Sequence, residues 1–74
     1  MAYQRLRYVF NVTVHADNHE ENTGRVRETY SVAAMDDQNA RMKALYLFWL
    51  VYADSYDTGD VMFCEIVLVR ELDG

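Results

Sequence analysis

The sequence predicts an α+β fold of ββαβ order: a three-stranded antiparallel sheet, strand order 2-1-3, with one helix packed on one face. Three observations predict it. Three stretches alternate apolar and polar residues with period two. One stretch between them, ending at Ala53, is apolar at helical spacing. The chain has 74 residues, 51% of them hydrophobic, which is the size of a single domain.

The first predicted strand runs from about Tyr3 to His15. Leu6, Tyr8, Phe10, Val12 and Val14 share one face, and Arg5, Arg7, Asn11 and Thr13 the other, with Val9 the one apolar intruder. Such alternation belongs to a strand with one buried and one wet face. A polar loop, Ala16 to Gly24, follows, with turn chemistry in Asn22, Thr23 and Gly24. The second strand runs from about Arg25 to Ala34. Val26, Tyr30, Val32 and Ala34 point inward, Arg25, Arg27, Thr29 and Ser31 outward, and Glu28 breaks the inward set. Asp36 or Asp37 then caps a helix, because a short carboxylate accepts from the free amides of the first turn and suits the positive end of the helix dipole. The helix continues to about Ala53. The third strand, about Val61 to Leu72, has Met62, Cys64, Ile66 and Leu68 on one stripe. Val61, Phe63, Val67 and Val69 form the other, interrupted by Glu65. A hairpin makes the first two strands antiparallel, and a right-handed crossover through the helix lays the third beside the first.

Composition narrows the function. Twelve acidic against seven basic residues give a net charge of -5. That disfavours a general nucleic-acid-coating protein, which needs clustered Lys and Arg to neutralise phosphates, so no direct nucleic-acid partner is expected. The apolar fraction is too high for a disordered acidic tail. A lone cysteine, Cys64, excludes an internal disulfide and a cysteine-built zinc cage. The longest apolar run, Ala44 to Ala53, is about half the roughly 20 residues of a membrane span. Residues Met1 to Val14 lack the apolar core and cleavage site of a signal peptide. A soluble cytoplasmic protein with no membrane partner is expected.

Catalytic and metal chemistry find little support. His15, Asp17, His19 and Glu20 match no established ligand spacing. Asp54, Asp57 and Asp60 lack the alternate-residue pattern of a calcium loop. Cys64 reads as an inert core thiol, Ser31 and Ser55 have no placed base, and the only internal glycines, Gly24 and Gly59, build no phosphate loop. No enzyme activity, metal or cofactor is expected.

Three features point instead to binding. The helix is apolar nearly all round. Ala40, Ala44, Leu47, Phe48 and Val51 share one side, and Met42, Leu45 and Trp49 lie opposite, flanked by Tyr46 and Ala53. Either side can be the core, and whichever is not leaves an apolar contact stripe. Val61, Phe63, Val67 and Val69 are expected on the open sheet face of an edge strand with no proline or lysine to blunt it. Topology also gathers Asp17, Glu20, Glu21, Asp54, Asp57 and Asp60 at one end of the sheet, three of them after a helix C-terminus, where cations are preferred. That end is expected to dock on a basic surface, and the apolar residues to serve a partner or a homodimer. A core this small offsets the entropy of folding only narrowly, which favours such a second burial surface.

The junction from Tyr30 to Ala40, with Ala44 one turn further, resembles one found in small phage proteins: a strand ends in a small residue, an acidic cap follows, and alanines recur every four residues. Short, acidic and ββαβ, the chain resembles phage-borne anti-CRISPR proteins. That resemblance implies a cytosolic, non-enzymatic inhibitor, often dimeric, that binds a CRISPR effector complex and blocks its nucleic-acid binding or cleavage. Two other readings stand beside it. One is a phage structural, assembly or early protein that only oligomerises. The other is a nucleic-acid binder using Arg5, Arg7, Arg25 and Arg27 beside Phe63.

Overall fold

The alternating stretches form strands and the apolar stretch a helix, in the computed structural model, which describes residues 7–18 and 24–72. Strands β1 (Tyr8–Asn18) and β2 (Gly24–Ala34) precede helix α1 (Asp37–Tyr52), a short 3-10 turn (Thr58–Asp60) and strand β3 (Val61–Glu71). The sheet order is β2-β1-β3, with both outer strands antiparallel to β1. This is the predicted α+β architecture.

The helix starts where a short carboxylate is available. Asp36, extended at the N-cap, accepts from the Asn39 amide at 2.8 Å, and Asp37 adds negative charge in the first turn. One face of the helix meets the sheet through Ala40, Ala44 and Phe48, all fully buried at successive i, i+4 positions. The two alanines permit close approach, and Phe48 fills the space beyond them. Phe10, Val12, Val14 and Ala16 of β1 and Val32 and Ala34 of β2 complete the core. The helix lies nearer β2 and β1 than β3.

Several boundaries differ from expectation. β1 continues three residues past His15, because Ala16, Asp17 and Asn18 pair with Val26, Arg25 and Gly24. The expected loop is shorter by those residues and by Gly24, which opens β2 at a φ of +81°, a conformation that favours glycine. The predicted strand residues Tyr3 to Leu6 lie outside the described residues.

β3 carries two bulges. Opposite the β1 neighbours His15 and Ala16 stand Phe63 and Val61, and opposite Val9 and Phe10 stand Arg70 and Leu68. Met62 and Val69 are therefore the extra residues. The first bulge moves Val61 onto the helix face, half-buried against the core. The expectation that Val61 is exposed on the open face is corrected accordingly.

Candidate protein-contact surfaces

Three surfaces carry the residues that could contact a partner: the acidic end, the outer helix face and β3. The acidic end is built by polar contacts between β1, β2 and the segment after α1. The Asn18 amide donates to the Ser55 carbonyl at 3.1 Å. The buried Tyr56 donates its hydroxyl to the Gly24 carbonyl at 3.0 Å. These bonds bring together the elements that carry the predicted acids, but the carboxylates themselves have different roles. Asp17 is buried, and Arg25 Nε donates to its Oδ2 at 3.4 Å. It faces its cross-strand neighbour because β1 extends through Asn18, so it is not part of an open acidic surface. Asp60 is half-buried and accepts from the Asp57 backbone amide at 2.8 Å, closing the 3-10 turn. Asp54 and Asp57 are exposed. Glu20 and Glu21 lie outside the described residues.

The helix core combines parts of both predicted sides. Ala40, Ala44 and Phe48 are buried as on the alanine side, yet Leu45 and Trp49 also pack on the core. Trp49 meets Phe48 edge-on, with ring centroids 5.1 Å apart, and Tyr52 stacks on Phe48 at 4.7 Å. Leu45 and Trp49 are thus half-buried rather than free for a partner. Of the predicted contact trio, Met42 alone is exposed, and Leu47 and Val51 turn outward with it. The exposed residues form a ridge: Met42, Tyr46, Leu50 and Asp54 follow one another at i, i+4 spacing, each exposed. Leu47 and Val51 flank it. Leu50 was not singled out from the sequence and Tyr46 only as a flank of the Met42 side, although their i, i+4 spacing from Met42 was visible. Beneath the ridge, Met42, Tyr46 and Leu47 line a groove of about 560 Å³ against Val32 and Ala33 of β2. Lys43 closes toward that strand, its Nζ donating to the Ala33 carbonyl at 2.6 Å.

Glu28, the acid that interrupts the inward face of β2, accepts a hydrogen bond from the Tyr52 hydroxyl across the gap between helix and sheet. That bond, reinforced by burial, pushes the Tyr52 phenol up to about 12. Burial and the nearby Glu28 charge also raise Tyr30.

On β3, Phe63, Val67 and Val69 are exposed as predicted, together with Met62 and Leu68. Leu68 shares the helix face with Cys64 and Ile66, opposite Phe10, Val14 and Val12, but the helix does not reach over it. Burial pushes the Cys64 thiol up, and the Arg41 guanidinium opposes this. On the open face His15 stacks on Phe63 at 4.2 Å and bonds Glu65 through Nε2 at 2.6 Å. Arg25, Arg27 and Phe63 border a depression of about 450 Å³ there. Among the described residues no group of His, Cys, Asp or Glu converges to hold a metal ion, and no helix is long and apolar enough to cross a membrane. The chain matches no family model, no curated protein and no solved structure.

Proposed function

We propose that this protein acts by stoichiometric protein–protein contact, as an inhibitor that binds a nucleic-acid-handling complex and blocks its nucleic-acid binding or cleavage, a CRISPR effector being the most specific form of the proposal. One observation carries it: the exposed apolar ridge of Met42, Tyr46 and Leu50, which runs into the exposed Asp54 with Asp57 beyond. Large apolar side chains supply affinity when a partner covers them, roughly 1.5–3 kcal/mol each on full burial. Rim carboxylates add little affinity, about 0–1 kcal/mol per pair, but speed encounter with a basic surface. A basic groove that handles nucleic acid is complementary to this arrangement.

The test is affinity capture from a bacterial lysate, with bound proteins identified by mass spectrometry and their affinity measured against salt. Captured proteins should handle nucleic acid and lose it when this chain binds. Leu50→Lys should abolish capture, and the pair Asp54→Lys and Asp57→Lys should slow association and flatten its salt dependence. Capture unaffected by either change would refute the ridge as the contact. A second reading, direct nucleic-acid binding, is favoured by Arg25, Arg27 and Phe63 around the depression on the open face. A gel shift with plain RNA and DNA that weakens in Arg27→Ala would replace the first reading by the second.

A further inference from the structure

We infer that two copies of this chain pair edge to edge through β3, antiparallel, to form a continuous six-stranded sheet with both helices on the same face. This surface lies apart from the helix ridge, so the inference does not depend on the inhibitor reading.

Among the described residues β3 has one neighbour in the sheet, β1, and no strand lies along its far side, a row of backbone amides and carbonyls. Eleven residues make this edge about 36 Å long. Proteins usually blunt such an edge with proline, lysine or inward-pointing charge. β3 has no proline or lysine, and between Asp60 and Arg70 its one charge is Glu65, held on the open face by His15. The bulges at Met62 and Val69 sit toward its ends and leave Phe63 to Leu68 as regular strand.

The edge is apolar on both faces. Cys64, Ile66 and Leu68 lie on the helix side, where the lean of α1 toward β2 leaves Leu68 exposed, and Phe63 and Val67 lie exposed on the other side. An occupant that matches must be a strand, apolar on both faces, and β3 is itself such a strand. The antiparallel alignment is the one that a two-fold axis perpendicular to the sheet produces, it keeps both helices on one face, and antiparallel ladders are slightly more stable per residue than parallel ones. Charge constrains the register. A two-fold axis at Glu65 would oppose two carboxylates. An axis at Ile66 opposes Ile66 to itself, Cys64 to Leu68 and Glu65 to Val67, which joins the helix-side residues of both copies in one apolar layer.

The experiment is sedimentation equilibrium over a wide concentration range, with far-UV circular dichroism as the check on folding. The wild-type chain should sediment at twice the chain mass, and Leu68→Lys and Val67→Lys, both at exposed positions, should sediment as folded monomers. Tyr46→Ala should remain a dimer. Monomeric wild type at every concentration overturns the inference, as does a dimer that survives Leu68→Lys. The double variant Cys64→Ser with Ile66→Cys tests the register. Oxidation should link its two copies through Ile66→Cys, and a dimer that does not cross-link overturns the antiparallel alignment at Ile66.

Discussion

The two edges of the sheet differ in what their side chains offer. β2 alternates, with Glu28 the one interruption on its inward face. Its outward side chains, Arg25, Arg27, Thr29 and Ser31, are exposed and polar, and its inward side chains lie under the helix. Polar contacts close that side: Lys43 to the Ala33 carbonyl and Tyr52 to Glu28. β3 is apolar on both faces, carries two bulges and is only partly covered by the helix. A small sheet with one helix cannot cover both flanks. Here the helix serves one flank, and the apolar residues of the other stay exposed.

The largest expected effect breaks the comparison by removing what both flanks share. Phe48 is fully buried at the centre of the helix face. Phe48→Ala should cost about 3–5 kcal/mol in urea denaturation, with amide exchange rising in β2 and β3 alike. Asp36→Ala tests the helix start on which both flanks depend. It should cost about 1 kcal/mol and leave the denaturant slope unchanged.

The next change sharpens the comparison on the β2 side. The Tyr52 phenol is raised by Glu28 from 10.0 to about 12. A group whose folded value is raised contributes stability that is whole below the unfolded value and is lost as pH rises through the folded one. Stability should therefore fall between pH 10 and 12 in the wild type, and less steeply in Tyr52→Phe, as measured by denaturation at several alkaline pH values. A parallel fall in both proteins would show that the bond contributes nothing to folding.

The smallest effect reads the β3 side. Burial raises the Cys64 thiol and Arg41 opposes that rise. Cys64 should thus be alkylated at neutral pH more slowly than an unstructured cysteine, and more slowly still in Arg41→Ala, because less thiolate is present. Faster alkylation in Arg41→Ala would show that the guanidinium shields the thiol rather than favouring its charged form.

Strand identity was legible because alternation is a local property, readable from Tyr8 to His15 and from Arg25 to Ala34 without knowing what they pair with. The cap was legible because Asp36 and Asp37 precede the only apolar helical run. The bulges were not, since an extra residue at Met62 exists only relative to the β1 register, and with it went the side on which Val61 lies. Asp17 was misplaced for a similar reason. Ala16, Asp17 and Asn18 have loop composition, and only their partners Val26, Arg25 and Gly24 make them strand. The exposure of Phe63, Val67, Val69 and Met42 was legible from pattern. The packing of Leu45 and Trp49 on the core was not, because hydrophobicity does not distinguish one side of this helix from another.

That last property reaches beyond assignment. A helix that is greasy all the way round has no strong preference for its own roll angle. Turning it about its axis would exchange Trp49 and Leu45 for Leu47 and Val51 at little hydrophobic cost. The Tyr52 to Glu28 bond, with Tyr56 on Gly24 and Asn18 on Ser55, works as a set of pins that selects one orientation. Without those pins the chain would be expected to keep its secondary structure and lose its single answer, populating several rolled packings that present different surfaces to the outside.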